Sequence, residues 1–107
     1  MSNPQPGKVW LADLGLAAKT RPVIVVSRFD PDAPRALVLY VPLTTQNRMS
    51  RYEVALPKLP FLDQSSFANV QGLASLPSVC LERRLGWLPP SVMTELKAAL
   101  LFALDLN

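Results

Sequence analysis

Residues 21–43 read RPVIVVSRFDPDAPRALVLYVPL, two apolar stretches on either side of a turn. The first, Arg21–Arg28, is rich in β-branched residues and predicts a strand that tolerates Pro22 at its start. Asp30–Pro34 is typical of a turn. Arg35–Leu43 then predicts a nearly all-apolar strand buried on both faces, with Pro42 at its end or at a bulge. The middle of the chain is therefore predicted to be β-sheet.

On both sides of this segment the chain carries further short stretches with β-strand composition. Arg51–Leu56 alternates charged or small residues with large apolar ones, which indicates a half-exposed strand after the polar loop Thr45–Ser50. The other predicted strands are Lys8–Leu14, Ser66–Ala74 and Cys80–Arg84, with Gly15–Thr20 as a loop and Leu59–Leu62 as an irregular or single-turn segment. Residues 1–6 are predicted to be a loose tail.

The end of the chain changes from strand to helix patterning. Pro89-Pro90 suits a helix start, and apolar residues then recur at helical spacing at Val92, Leu96, Ala99, Leu100 and Ala103. With 107 residues the chain is predicted to form a single domain, 1–107. Short strands followed by one amphipathic helix of about four turns predict a mainly β fold, a small, strongly bent antiparallel sheet closed into a barrel-like shape.

The composition excludes several kinds of chemistry. The chain has no histidine, which removes the commonest general acid or base and the usual zinc ligand. Nor do the residues show a phosphate-binding glycine loop, a dinucleotide-binding pattern or metal-ligand spacing, so we expect no cofactor and no metal. The single Cys80 and the lack of a signal peptide or membrane segment favour a cytoplasmic protein.

Positive charge is concentrated in the first half of the sequence. Residues 1–58 hold eight Lys or Arg against four acids, whereas residues 59–107 hold three against four. This asymmetry predicts a cationic face with a polyanion such as nucleic acid as partner. A solvated basic surface without a partner is the alternative.

Two polar residues at predicted strand ends are the catalytic candidates that remain. Arg21 opens the second strand directly before Pro22, and Thr44 closes the third after Pro42-Leu43. In an antiparallel pair we expect them to meet only if the sheet bends or the strands reach the site from separate sides. In the simplest alternative Arg21 forms a surface ion pair and Thr44 a turn hydrogen bond.

These residues belong to a pattern that resembles the MazF/PemK toxins of type II toxin–antitoxin systems. The resemblance covers residues 7–106 and rests on GKVWLADL at 7–14, KTRPVIVV at 19–26, VPLTTQ at 41–46, Ser65 with Asn69-Val70-Gln71, Arg84-Leu85-Gly86 and the helix end ALDL at 103–106. It implies an SH3-like small barrel of the CcdB/PemK type with a C-terminal α-helix. It also implies a homodimer inhibited by a cognate antitoxin protein.

The resemblance further implies a metal-independent endoribonuclease that cuts single-stranded RNA. In this family the ribose 2′-OH attacks the adjacent phosphate and leaves a cyclic phosphate and a 5′-OH, and the catalytic roles map onto Arg21 and Thr44. A guanidinium and a hydroxyl can donate hydrogen bonds to the oxygens where charge develops. We expect Arg21 to act electrostatically, because a guanidinium stays protonated and is poorly suited to general acid or base catalysis.

Polar and basic residues near these two are the candidates for RNA binding. Cationic groups suit phosphates and side-chain amides suit base edges. The candidates are Lys19, Thr45, Gln46, Arg48, Arg51, Ser65, Asn69 and Gln71, with Asn47 as a further amide. Tyr52 and Phe67 could stack on bases, although core positions are the more common role of such residues. Trp10 is expected in the core or at the dimer interface.

The chain departs from the family at its first loop. Residues 15–20 are short and lack the carboxylate that many members carry there, and Val70-Gln71 stands where the family usually has an acidic residue followed by Gln. Asp13 and Glu53 are possible replacements, and Asp13 is equally suited to accept a hydrogen bond at a strand end. Two alternatives remain open: a CcdB-like toxin that binds a DNA topoisomerase, and a degenerate family member that binds RNA without cutting it.

Overall fold

A computed structural model describes residues 3–15 and 20–107 of the chain. These residues form seven strands and one α-helix, with short 3-10 helices at Val70–Gly72 and Ser78–Cys80. The elements are β1 (Lys8–Asp13), β2 (Thr20–Val25), β3 (Leu37–Thr44), β4 (Glu53–Ala55), β5 (Phe67–Asn69), β6 (Ala74–Pro77), β7 (Leu81–Trp87) and α1 (Pro90–Ala103). The predicted mainly β fold with a C-terminal helix is confirmed.

The long strand β3 organises the sheet. The strand order is β4-β5-β3-β2-β1-β7, every recorded pair is antiparallel, and β6 also pairs with β3. One edge of β3 pairs with β2, while its other edge pairs first with β6 and then with β5. The end of β3 at Thr44 is consequently bordered by the start of β5, where Thr44 pairs with Phe67.

The sheet is not closed, in contrast to the closed shape that we expected from the sequence. β4 and β7 are the two ends of the strand order, and no ladder joins them within residues 3–15 and 20–107. β4 has only three residues, so it offers little backbone to a further partner. Instead it contacts α1, where Val54 belongs to the same buried cluster as Leu96 and Ala99.

Two apolar clusters fill the fold because side chains alternate between the faces of a strand. The larger cluster includes Val9, Ile24 and Val41 and packs against Leu96 of α1. The smaller one contains Ala12, Val23, Val38 and Leu76, with Trp10 and Tyr40 packed against it. Ile24 and Leu96 are completely buried in the larger cluster, and helix α1 contacts β4 and the 3-10 helix Val70–Gly72.

The prediction that the third strand is buried on both faces is wrong for its first half. Leu37 and Leu39 are 46% and 45% exposed, although Val38 and Val41 are buried. The larger cluster includes Val41 but does not extend to Leu37 or Leu39. The strand also begins two residues later than expected and includes Thr44.

The predicted strand Ser66–Ala74 is divided into β5 and β6 by the 3-10 helix Val70–Gly72. Asn69 begins this helix, and its Oδ1 accepts a hydrogen bond of 3.1 Å from the Gln71 amide. A Cβ atom at Gly72 would lie only 2.6 Å from Cγ of Pro42, so the turn packs closely on β3. β7 runs three residues beyond the predicted Cys80–Arg84 and starts one residue later.

Helix α1 confirms the predicted terminal helix, with Val92, Leu96 and Ala99 buried. Pro90 occupies its first turn, where the missing amide hydrogen costs no helical hydrogen bond. Nowhere in the described residues is there a helix with the length and apolar content needed to span a bilayer.

Candidate active site

Arg21 and Thr44 meet at one end of the sheet as a direct result of antiparallel pairing. β2 pairs with β3 in the register Val23–Pro42, Ile24–Val41 and Val25–Tyr40. Continued by two residues, this register would set Arg21 opposite Thr44. Because the two strands are antiparallel, the start of β2 and the end of β3 lie at the same end of the sheet.

Two prolines lie where the β2–β3 ladder stops. Pro22 is the third residue of β2, and Pro42 is opposite Val23 in the last recorded pair. Proline has no amide hydrogen to donate to a ladder, so these residues favour the end of pairing at this point. Beyond the last β2–β3 pair Arg21 and Thr44 line a cleft, while each still pairs on its other side, Arg21 with Ala12 and Thr44 with Phe67.

The cleft has a volume of about 570 Å³ and contains both catalytic candidates. Its lining comes from the start of β2, the end of β3 and the segment before β5: Arg21, Pro22, Leu43, Thr44, Thr45, Leu62, Asp63, Gln64 and Ser66. Arg21 is exposed and Thr44 half-buried. The Arg21 guanidinium, with its five donors, is thus available to an anionic ligand from solvent.

The Thr44 hydroxyl is oriented by the backbone of the next loop. Its Oγ1 accepts a hydrogen bond of 3.1 Å from the Gln46 amide. A hydroxyl that accepts through one lone pair still has its hydrogen to donate. Thr44 can therefore hold a fixed position and donate to an oxygen of a bound phosphate at the same time.

The loop that follows Thr44 is held by Glu53, the first residue of β4. Glu53 Oε1 accepts from the Arg48 amide at 2.9 Å and from the Ser50 amide at 3.4 Å. Within the loop, Arg48 Nη2 donates to Gln46 Oε1 at 2.9 Å, and Asn47 Oδ1 accepts from the Met49 amide at 2.8 Å. These hydrogen bonds order the loop 45–50 next to the cleft; we call it the basic loop.

Met49 is the most prominent residue of this loop. It has a φ of +54° and its side chain is 88% exposed. A non-glycine residue in the left-handed region is uncommon, and here the hydrogen bond from its amide to Asn47 supports the turn. The loop thus presents an apolar tip beside Arg48.

Some of the candidate RNA-binding residues lie at or next to the cleft, and others lie in the 3-10 turn. Thr45 lines the cleft, Gln46 and Arg48 lie in the adjoining loop, and Ser65 lines a neighbouring cavity of about 290 Å³ that shares Leu62, Asp63 and Gln64 with the cleft. Lys19 lies outside the described residues. Asn69 and Gln71 belong to the 3-10 turn, where the Asn69 side chain accepts from the Gln71 amide.

Arg51 and Tyr52 contact the end of helix α1. The Arg51 guanidinium carbon lies 3.8 Å from the centroid of the Phe102 ring, and the Tyr52 and Phe102 rings are 5.2 Å apart. Tyr52 packs against the larger core cluster, the alternative that we held open for it. The cleft lining contains neither residue.

Of the segment Leu62–Ser66, sequence reasoning proposed only Ser65 and missed the residues that line the cleft. Leu62, Asp63, Gln64 and Ser66 all line it. The available signal was the polar run DQSS at 63–66 directly before a strand. What the sequence does not reveal is that this strand pairs at Phe67 with Thr44, which brings the run to the cleft.

Metal-ligating groups and the free cysteine are the other reactive side chains to consider. Among residues 3–15 and 20–107 no three His, Cys, Asp or Glu side chains are grouped so that they could hold a metal ion. Cys80 is a half-buried free thiol packed against the smaller cluster.

Residues 5–104 match the PemK-like, MazF-like toxins of type II toxin–antitoxin systems. The chain belongs to this toxin family. No curated protein sequence matches it significantly.

Solved structures of MazF-like toxins resemble the chain over nearly its full length. An endoribonuclease from a mycobacterial species, in complex with its cognate antitoxin, is 30% identical, with a TM-score of 0.84 and 97% of each chain covered. The Mycobacterium tuberculosis toxin MazF-mt6 is 28% identical, with a TM-score of 0.81, and the match covers 94% of this chain and 98% of that chain. A MazE–MazF structure from Deinococcus radiodurans shares the fold. It is 20% identical, with a TM-score of 0.81, and the match covers 99% of this chain and 100% of that chain.

Proposed function

We propose that this MazF-like toxin is an endoribonuclease that cuts single-stranded RNA without a metal ion. The observation that carries the proposal is that Arg21 and Thr44 line one open cleft, in a chain of a family whose similar structures include endoribonucleases. Both are hydrogen-bond donors, so the cleft can stabilise negative charge on a phosphate.

The proposed reaction is a transesterification within the RNA. The ribose 2′-oxygen attacks the adjacent phosphorus and forms the O2′–P bond, while the bond from phosphorus to the 5′-oxygen breaks. The products are a 2′,3′-cyclic phosphate and a 5′-OH. Charge that develops on the non-bridging oxygens is stabilised by the Arg21 guanidinium and the Thr44 hydroxyl.

RNA binding in this proposal uses the basic loop beside the cleft. Arg48 and Gln46 lie there and are hydrogen-bonded to each other, so they can meet a phosphate and a base edge together. Thr45 lies in the cleft itself. Lys19, Arg51, Ser65, Asn69 and Gln71 remain proposed contacts of a longer RNA strand.

Two protein partners belong to the proposal. A cognate antitoxin would block the RNA cleft, in line with the antitoxin complex of the mycobacterial endoribonuclease. A second copy of the chain would form a homodimer. Exposed Leu37 and Leu39 support this.

The test is cleavage of a long single-stranded RNA by the purified protein in EDTA, followed by chemical mapping of the fragment ends. The proposal predicts cyclic-phosphate and 5′-OH ends, and no cut where the nucleotide before the scissile bond is 2′-deoxy. Tight RNA binding with no cleavage would indicate the degenerate alternative. Neither cleavage nor binding by the folded protein would instead favour a CcdB-like protein target.

A further inference from the structure

The carboxylate that residues 15–20 lack in the sequence has a candidate counterpart in the cleft. All eight acidic residues of the chain lie in the described ranges, and Asp63 is the one that lines the cleft with Arg21 and Thr44. The others are Asp13, Asp30, Asp32, Glu53, Glu82, Glu95 and Asp105. The residues outside the described ranges, 1–2 and 16–19, include no acid.

Asp13 and Glu53, the two replacements considered from the sequence, already have backbone partners. Asp13 Oδ1 accepts a hydrogen bond of 2.9 Å from the Gly15 amide at the end of β1. Glu53 Oε1 holds the amides of Arg48 and Ser50. Both carboxylates therefore stabilise local backbone, and neither lines the cleft.

Asp63 differs from them in its surroundings. Its side chain is exposed, and within residues 3–15 and 20–107 no ion pair or side-chain hydrogen bond engages its carboxylate. The charged groups around it are Arg21 in the cleft and Lys58 in the adjoining cavity. The carboxylate is therefore free to accept a proton or a hydrogen bond from a ligand.

A carboxylate in a phosphate-binding cleft opposes binding, because it repels the phosphate charge. Its presence beside Arg21 and Thr44 is better explained by chemistry than by affinity. Cleavage needs a group that removes the 2′-OH proton, and a chain without histidine must use another base. Neither Arg21 nor Thr44 suits that role, since a guanidinium has no acceptor and a hydroxyl is a weak base.

We infer that Asp63 is the proton acceptor of the reaction, a catalytic residue that completes the cleft. The inference rests on the proposed function. As the O2′–P bond forms, the 2′-OH proton passes to the Asp63 carboxylate. The bond from phosphorus to the 5′-oxygen breaks with its electron pair, and the departing oxygen takes a proton from water. The hydroxide that remains removes the proton from Asp63 and restores the carboxylate.

The test compares Asp63→Asn, Asp63→Glu and the matched control Asp32→Asn, which removes an exposed carboxylate in the β2–β3 turn. Turnover is measured on cleavable RNA at a fixed pH. Affinity is measured separately with the same oligonucleotide carrying a 2′-deoxy nucleotide at the cut site, which cannot react. Thermal melting verifies that each variant is folded.

Asp63→Asn is expected to lower kcat at least about 100-fold, the usual contribution of a general base. It should preserve or increase affinity for the 2′-deoxy RNA, because a repulsive charge is gone. Asp63→Glu should retain part of the activity, and Asp32→Asn should match the wild type. Structural damage would instead lower affinity along with turnover.

Two results would overturn the inference while the proposed function stands. One is cleavage by Asp63→Asn at the wild-type rate and at the wild-type sites. The other is an undiminished kcat of Asp63→Asn at a changed cut-site sequence, which would make Asp63 a residue that recognises bases. If the wild-type protein itself fails to cleave RNA, the failure lies with the proposed function and not with the role of Asp63.

Discussion

Arg21 and Thr44 each lie two residues along their own strands from Val23–Pro42, the last pair of the β2–β3 ladder. Both side chains line the same cleft. A site at the splayed end of two adjacent strands holds a guanidinium and a hydroxyl on a rigid support. Such fixed donors are the means by which a protein stabilises developing charge.

The Thr44 hydroxyl is expected to be needed for turnover. Thr44→Val keeps the shape of the side chain and removes the donor, so kcat should fall by about 100-fold or more, the usual effect of losing one such donor. Thr44→Ser keeps the hydroxyl and should retain most of the activity. Because Oγ1 also accepts from the Gln46 amide, melting curves of both variants are required. Equal turnover by Thr44→Val and wild type would remove Thr44 from the reaction.

Glu53 is expected to order the basic loop. In Glu53→Ala the Arg48 and Ser50 amides lose their acceptor. A bond to a charged acceptor contributes about 1.5 kcal/mol or more, so amide exchange at Arg48 should accelerate about tenfold. RNA affinity should fall with it, and Glu82→Ala serves as control. Unchanged protection of the Arg48 amide would show that the loop is ordered by other contacts.

The contact between Arg51 and Phe102 is expected to stabilise the end of helix α1. With 3.8 Å between the guanidinium carbon and the ring centroid, a cation–π interaction at an exposed site contributes about 0.5–1 kcal/mol. A double-mutant cycle of Arg51→Ala and Phe102→Leu in urea unfolding measures this coupling. Strictly additive effects of the two substitutions would contradict it.

Gly72 is expected to tolerate no side chain. A Cβ atom there would lie 2.6 Å from Cγ of Pro42, in the strand that carries Thr44. Gly72→Ala should lower the free energy of unfolding by about 1–3 kcal/mol, the usual cost of overpacking. Ser78→Ala, in the other 3-10 helix, is the comparison. Wild-type stability of Gly72→Ala would mean that the turn does not pack on β3 as described.

The sequence was informative where local chemistry decides the structure. The spacing of Val92, Leu96 and Ala99 predicted helix α1, and all three are buried. Arg21 and Thr44 were proposed from their positions at predicted strand ends together with the family resemblance, and the cleft contains both. Such patterns depend on neighbours in the chain.

Features that depend on contacts between distant segments were not predictable. The break at Gly72 reflects its close approach to Pro42, 30 residues earlier in the chain. Asp63 reaches the cleft because Phe67 pairs with Thr44. The exposure of Leu37 and Leu39 reflects the limited extent of the core, which the apolar composition of the strand does not reveal.

The most direct test of the account is RNA cleavage in EDTA by wild-type protein, Arg21→Ala and Arg21→Lys, with Arg35→Ala as a control on an exposed arginine outside the cleft. The account predicts cyclic-phosphate ends from the wild type and the control. It predicts loss of at least about 100-fold in both Arg21 variants, because lysine keeps the charge but not the planar set of donors. Wild-type cleavage by Arg21→Ala would contradict it.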